Sequence, residues 1–82
     1  MNQEQAVAAA EAAREEKEVP PGAAVADVEQ CFIELGDPDP EKPSPVRDVR
    51  AWLVRYHFQG GRWVELAVDD KTGQIVRVRR SR

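Results

Sequence analysis

The chain has one cysteine, one histidine and one tyrosine in 82 residues. A lone Cys31 excludes an internal disulfide and leaves a zinc site without a second thiolate, so the thiol reads as a small core residue. A lone His57 excludes a histidine pair for a metal, and no serine or cysteine is expected on its side of a strand to act as a nucleophile. No window of about 18 apolar residues offers a membrane span, and no basic segment leads into an apolar one as in a secretory signal. As written the protein is expected in the cytoplasm, or in the envelope or outside the cell if it is a trimmed mature form. No glycine-rich phosphate loop opens a helix, because Gly60-Gly61 falls between two strands. A domain of this length buries only about 60% of the surface of its unfolded chain, which leaves room for one domain over residues 1–82 and one thin core.

What is present is unevenly spread. The net charge is −3, yet residues 1–45 carry 3 basic and 11 acidic side chains (net −8) and residues 46–82 carry 9 basic and 4 acidic (net +5). The halves should attract, as when a helix and loop are neutralised by the sheet that they cover. Asn2 followed by Gln5 has the spacing of a capping box, and Gln3 to Glu18 is Ala-rich with no Gly or Pro, which predicts a helix. Its apolar stripe of Ala6, Val7, Ala10 and Ala13, with Ala9 beside it, is narrow and made of small residues suited to close packing on a sheet. Pro20, Pro21 and Gly22 stop it. Residues 36–45 (GDPDPEKPSP) hold four prolines in ten residues and read as a solvated, stiff loop.

Four strands are expected. Val25 to Leu35 is rich in β-formers, but its alternation does not say which side faces the core. Asp48 to Phe58 alternates Trp52, Val54, Tyr56 and Phe58 against Ala51, Leu53, Arg55 and His57. Arg62 to Asp69 alternates Val64, Leu66 and Val68 against Trp63, Glu65 and Ala67, and Gln74 to Arg79 sets Val76 and Val78 against Ile75, Arg77 and Arg79. The fold class is therefore α+β, one N-terminal helix packed on a four-stranded antiparallel meander.

Parity sets the register. Phe58 and Val64 share a face only if their connector has an odd number of residues, and Gln59-Gly60-Gly61 provides three. Val68 and Val76 share a face if Lys71-Thr72-Gly73 is likewise a three-residue turn. Both connectors end in Gly (Gly61 and Gly73), as a type I turn with a G1 bulge requires. Asp69 is placed to accept backbone or Thr72 hydrogen bonds across the second turn.

The same register places His57 opposite Trp63, Arg55 opposite Glu65, Glu65 opposite Arg79, and Leu53 opposite Ala67 and then Arg77. The far face should carry a charge ladder of Arg55, Glu65 and Arg79 beside an aromatic pair. Trp and Arg are side chains that interfaces favour. Trp63, His57, Arg55, Leu53, Arg77 and Arg79, with Ile75, are thus the candidate contact residues for a protein partner, and outward Leu53 and Ile75 would suit a homodimer joined face to face.

The run WLVRYHFQGGRWVELAVDDKTGQIVRV resembles the C-terminal part of a PepSY domain: an aromatic-led strand (Trp52-Leu53-Val54), a strand ending in Val68-Asp69, a turn with Thr72-Gly73, and a final apolar strand (Ile75-Val76). With the Ala-rich helix in front, the similarity spans most of the chain. The resemblance implies a helix packed on an antiparallel sheet, in a family usually found in the envelope or outside the cytoplasm, often as propeptide-type protease inhibitors or small binding domains. Small cytoplasmic bacterial immunity proteins of cystatin-like shape are also similar in having a helix, a meander and a Val-Asp-x-x-Thr-Gly hairpin.

No catalytic, metal or cofactor set emerges. Asp69 and Asp70 are adjacent in an extended run and point to opposite faces, so they do not share a proton or a metal. Arg77, Arg79, Arg80 and Arg82 form a basic tail, but an overall acidic chain with pI ≈ 5.1 argues against nucleic acid as a partner. The expectation is a non-enzymatic binding or regulatory domain, with inhibition of its partner among its roles.

Overall fold

A computed structural model of the chain describes residues 1–35 and 47–81; the Pro-rich stretch at 36–45 lies outside the described residues. The elements run α1 (Gln3–Ala13), β1 (Ala24–Leu35), β2 (Arg47–Phe58), β3 (Arg62–Asp69) and β4 (Ile75–Arg80). The four strands form one antiparallel sheet in the order β1-β2-β3-β4, with α1 lying on the two central strands. This is the α+β meander that the periodicity predicts.

Helix α1 starts as the sequence predicts. The Asn2 side chain accepts from the Gln5 backbone N–H (2.8 Å) while the Gln5 side chain accepts from the Asn2 N–H (2.9 Å), completing a capping box. It ends earlier than Glu18. Past Ala13 the chain continues in irregular helical turns, and Val19 N–H donates to the Arg14 carbonyl (2.8 Å) while Glu18 N–H donates to that of Glu15 (3.1 Å). These are the two bonds of a Schellman motif, with Glu18 in the left-handed position at φ 59° that glycine usually takes. Long side chains secure this end. Arg14 donates to the carbonyls of Pro20 and Ala23 (2.9 Å each), and Arg80 of β4 donates to those of Lys17 and Glu18.

Ala6 and Ala10 are fully buried, and because they are small the helix backbone can approach the sheet closely. Below them Val54 and Tyr56 of β2 and Val64, Leu66 and Val68 of β3 form the core, closed at one end by Val19 and Ala23 and edged by Val28, Trp52, Phe58 and Ile75. Full burial stabilises side chains of the size of valine and leucine by about 1.5–3 kcal/mol each, so this layer supplies most of the fold's apolar stabilisation.

The β2–β3 register follows the parity argument at each pair named for it, Leu53 with Ala67, Arg55 with Glu65 and His57 with Trp63, and sets Tyr56 against Val64. The connector Gln59-Gly60-Gly61 differs in conformation from a type I turn with a G1 bulge, because Gly60 (φ 84°) and Gly61 (φ 71°) both lie in the left-handed region.

The second connector corrects the expectation. Gly73 N–H donates to the Asp69 carbonyl (2.9 Å), and Asp69 N–H to the Gln74 carbonyl (2.8 Å). The turn therefore spans four residues, Asp70 to Gly73, rather than three. An even loop flips the faces, and a bulge flips them back: Val68 pairs with Ile75 but Ala67 with Arg77, so Val76 is extra. Ile75 consequently packs against the helix-side core, and Val76 joins the opposite face. Beyond the bulge the expected pairs Glu65–Arg79 and Ala67–Arg77 are recovered.

Strand β1 has a similar irregularity, with Ala26 extra between the pairs Val25–Tyr56 and Asp27–Arg55. After it, Val28 opposes Val54 on the helix side, while Cys31 opposes Ala51 and Ile33 opposes Val49 on the other side. Both sides of this strand carry apolar residues, which is why its pattern gave no facing.

Candidate functional site

The face of the sheet away from α1 is where the candidate contact residues gather. Glu65, at the centre of β3, is only 2% exposed. Its Oε2 accepts from Arg55 Nη2 at 2.7 Å, and its Oε1 lies 3.9 Å from Arg77 Nη2. A buried carboxylate requires such partners: Arg55 supplies a charge-assisted hydrogen bond and Arg77, on the strand at the other side, a longer ion pair that leaves Oε1 without a hydrogen bond. Arg77 takes the place in the ladder that parity assigned to Arg79. Arg79 is the backbone partner of Glu65, but it is exposed and forms no ion pair among the described residues.

The Glu65 hydrogen bond, followed by the carboxylates of Asp27 and Glu29, raises the pKa of Arg55 and so favours its charged form. Thus fixed, the Arg55 guanidinium sits 5.4 Å from the ring centroid of Trp63, within cation–π range. Trp63 is half-buried, and its backbone is held by Ser81 through Trp63 N–H to Ser81 Oγ (2.9 Å) and Ser81 N–H to the Trp63 carbonyl (3.0 Å). His57 stands exposed in the paired position beside Trp63.

Next to this polar group lies a second apolar cluster: Ile33, Ala51 and Ala67 are buried, with Cys31, Val49, Leu53 and Val76 packed around them and partly open. Leu53 belongs here. Ile75 does not, which removes half of the face-to-face contact expected from Leu53 and Ile75. Among the described residues no element covers this cluster. Residue-by-residue reading missed Cys31, Ile33 and Val76, whose membership depends on two bulges, and Val49, which shares the parity of Ala51 and Leu53 on β2. The signal that could have found the site is the pair of alanines flanking Glu65 and Leu53 in the register.

At the edge of the sheet the hairpin after β3 is held by its own side chains. Asp69 Oδ1 accepts from Lys71 N–H (2.7 Å) and Thr72 N–H (3.4 Å), Thr72 Oγ1 accepts from Gln74 N–H (3.2 Å), and Gly73 has φ 73°. Asp70 turns the other way and accepts from Trp52 Nε1 at 2.8 Å. This bond, with help from the N-terminal ammonium and Arg50, lowers the Asp70 pKa against a smaller opposing effect of desolvation. On the helix side, burial first and the Glu11 carboxylate second raise the pKa of Tyr56.

Among the described residues no three His, Cys, Asp or Glu side chains stand close enough to hold a metal ion, and no helix is long and apolar enough to cross a membrane. Compared with known protein families, curated proteins and solved structures, the chain matches none.

Proposed function

We propose that the protein is a non-enzymatic interaction domain of PepSY-like architecture that binds a protein partner through the open face of its sheet. The observation that carries this reading is the arrangement around Glu65. A buried carboxylate holds Arg55 over Trp63, so an aromatic and a guanidinium are preorganised at the surface beside the partly open Leu53, Val49 and Val76. Interfaces draw most of their energy from such Trp and Arg anchors next to an apolar patch, and ordering them beforehand lowers the entropy lost on binding. His57, Arg77 and Arg79 border the patch and give it a basic rim. The hairpin residues Asp69, Thr72, Gly73 and Gly61 hold the strand ends and take no part in contact.

The test is capture from the native lysate followed by mass spectrometry, with wild-type protein and the variant Trp63→Thr. Loss of a captured protein by a variant with unchanged circular dichroism and melting temperature supports the reading. Equal capture by both contradicts it. The identity of the partner separates the two kinds of binder: a protease points to propeptide-type inhibition, and a toxin points to a cytoplasmic immunity or antitoxin protein of cystatin-like shape.

A further inference from the structure

The two edges of the sheet carry opposite charge. Strand β1 (AVADVEQCFIEL) has Asp27, Glu29 and Glu34 and no basic residue; β4 (IVRVRR) has Arg77, Arg79 and Arg80 and no acid. Both are edge strands in the order β1-β2-β3-β4, so each has one side without a ladder partner among the described residues. Like edges repel: β1 against β1 opposes acids to acids, and β4 against β4 opposes arginines to arginines. Unlike edges attract.

Side-chain parity agrees with charge. On the open face β1 presents Asp27 and Glu29, which pair with Arg55 and Leu53 of β2, and β4 presents Arg77 and Arg79, which pair with Ala67 and Glu65 of β3. On the helix face β1 presents Val28, opposite Val54, and β4 presents Val78, opposite Leu66 and itself 37% exposed. One antiparallel register between β1 and β4 of another copy satisfies all of these together. Asp27 meets Arg79, Glu29 meets Arg77 on the open face, and Val28 meets Val78 on the helix face. The strand that the β1 edge calls for alternates basic and apolar residues, and this chain contains one.

We infer that a second copy of this chain docks by strand addition, its β4 pairing antiparallel with β1 of the first, with Asp27, Val28 and Glu29 opposite Arg79, Val78 and Arg77. The contact joins two sheets edge to edge. It leaves Trp63, Leu53 and Val76 on an uncovered face and shares only Arg77 and Arg79 with the partner reading above, whose own test, Trp63→Thr, touches neither.

The test is sedimentation equilibrium at low ionic strength over micromolar to millimolar protein, with the variants D27K and R79E. Neither residue is a donor or acceptor in the Arg55–Glu65 hydrogen bond, and circular dichroism checks that each variant is folded. Wild-type protein is expected to rise in weight-average mass above the 9.2 kDa monomer as concentration increases, and to fall back in high salt. D27K alone and R79E alone are expected to associate far more weakly than the wild type, since each sets like charges against each other at one of the two ion pairs and leaves only Glu29 with Arg77. An equimolar mixture of the two is expected to associate again, because the reversed charges then meet. Wild-type protein that stays at the monomer mass throughout overturns the inference, as do variants that associate like the wild type or a mixture that stays monomeric.

Discussion

The two faces of this sheet are buried in different ways. On the helix side a second layer does the covering: Ala6 and Ala10 let α1 close over Val54, Tyr56, Leu66 and their neighbours. On the other side no second layer lies among the described residues, yet Ala51, Ala67 and Glu65 are as inaccessible as the core. There Glu65 is paired with Arg55 and Arg77 from the neighbouring strands, and Ala51 and Ala67 pack with Ile33, Cys31, Val49, Leu53 and Val76 of the same sheet. A layer buries area and sets stability. Paired side chains within one sheet bury little, but they fix the positions of groups that remain at the surface, such as Arg55 beside Trp63, which is what a recognition face needs.

The largest expected effect breaks the symmetry between the two leucines. Leu66→Ala, on the covered face, should destabilise by about 3 kcal/mol, whereas Leu53→Ala, on the open face, should cost about 1 kcal/mol, because only the first leaves a closed cavity. Urea unfolding of both variants measures the ratio, and equal losses would mean that the open face is a second core. Next comes Glu65→Ala. Removing a buried carboxylate that holds two arginines should cost about 2 kcal/mol, less than for a fully enclosed pair because the arginines are each about a third exposed and can turn to water. The same variant should lose the Arg55–Trp63 stacking, seen as a change in near-ultraviolet circular dichroism.

A smaller effect sharpens the role of the covering layer. Glu18→Gly should stabilise the protein by about 0.5–1 kcal/mol in the same urea assay, since glycine accepts φ 59° without the Cβ clash that glutamate meets. The smallest concerns pH. The Asp70 carboxyl titrates below its ordinary value in the folded chain, chiefly through the Trp52 indole N–H. Its contribution is therefore present above the ordinary carboxylate value and lost as pH falls through the lowered one. Trp52→Phe should flatten the acid limb of a stability profile in that window, and an unchanged limb would exclude the bond as the cause.

How much of this could be read from the sequence depended on whether bulges intervene. Between β2 and β3 the ladder is regular, so parity and a glycine-ended connector were enough to place Tyr56 and Val64 inward and Trp63 outward. Between β3 and β4 a four-residue turn plus a one-residue bulge has the same net parity as a three-residue turn, so pairs beyond the bulge were predicted and Ile75 and Val76 were exchanged. Parity senses only the sum. Strand β1 was opaque for the same reason at Ala26, compounded by apolar residues on both of its sides. The helix end was hidden because Glu18 fills a position where a glycine would have announced the cap. At the candidate site, Trp63, Arg55 and His57 were legible as neighbours. The burial of Glu65 was not: it goes with pairing to arginines on both neighbouring strands, and a polar residue in an alternating strand reads as solvated.

The most direct test of the two-faced account is methyl-resolved NMR with a soluble gadolinium chelate. Methyl signals of Leu53, Val49 and Val76 should broaden strongly as the chelate is added, and those of Val54, Val64 and Leu66 should remain sharp. Protection of Leu53, Val49 and Val76 equal to that of Leu66 would mean that the second face is covered in solution, and the proposed recognition surface would not exist.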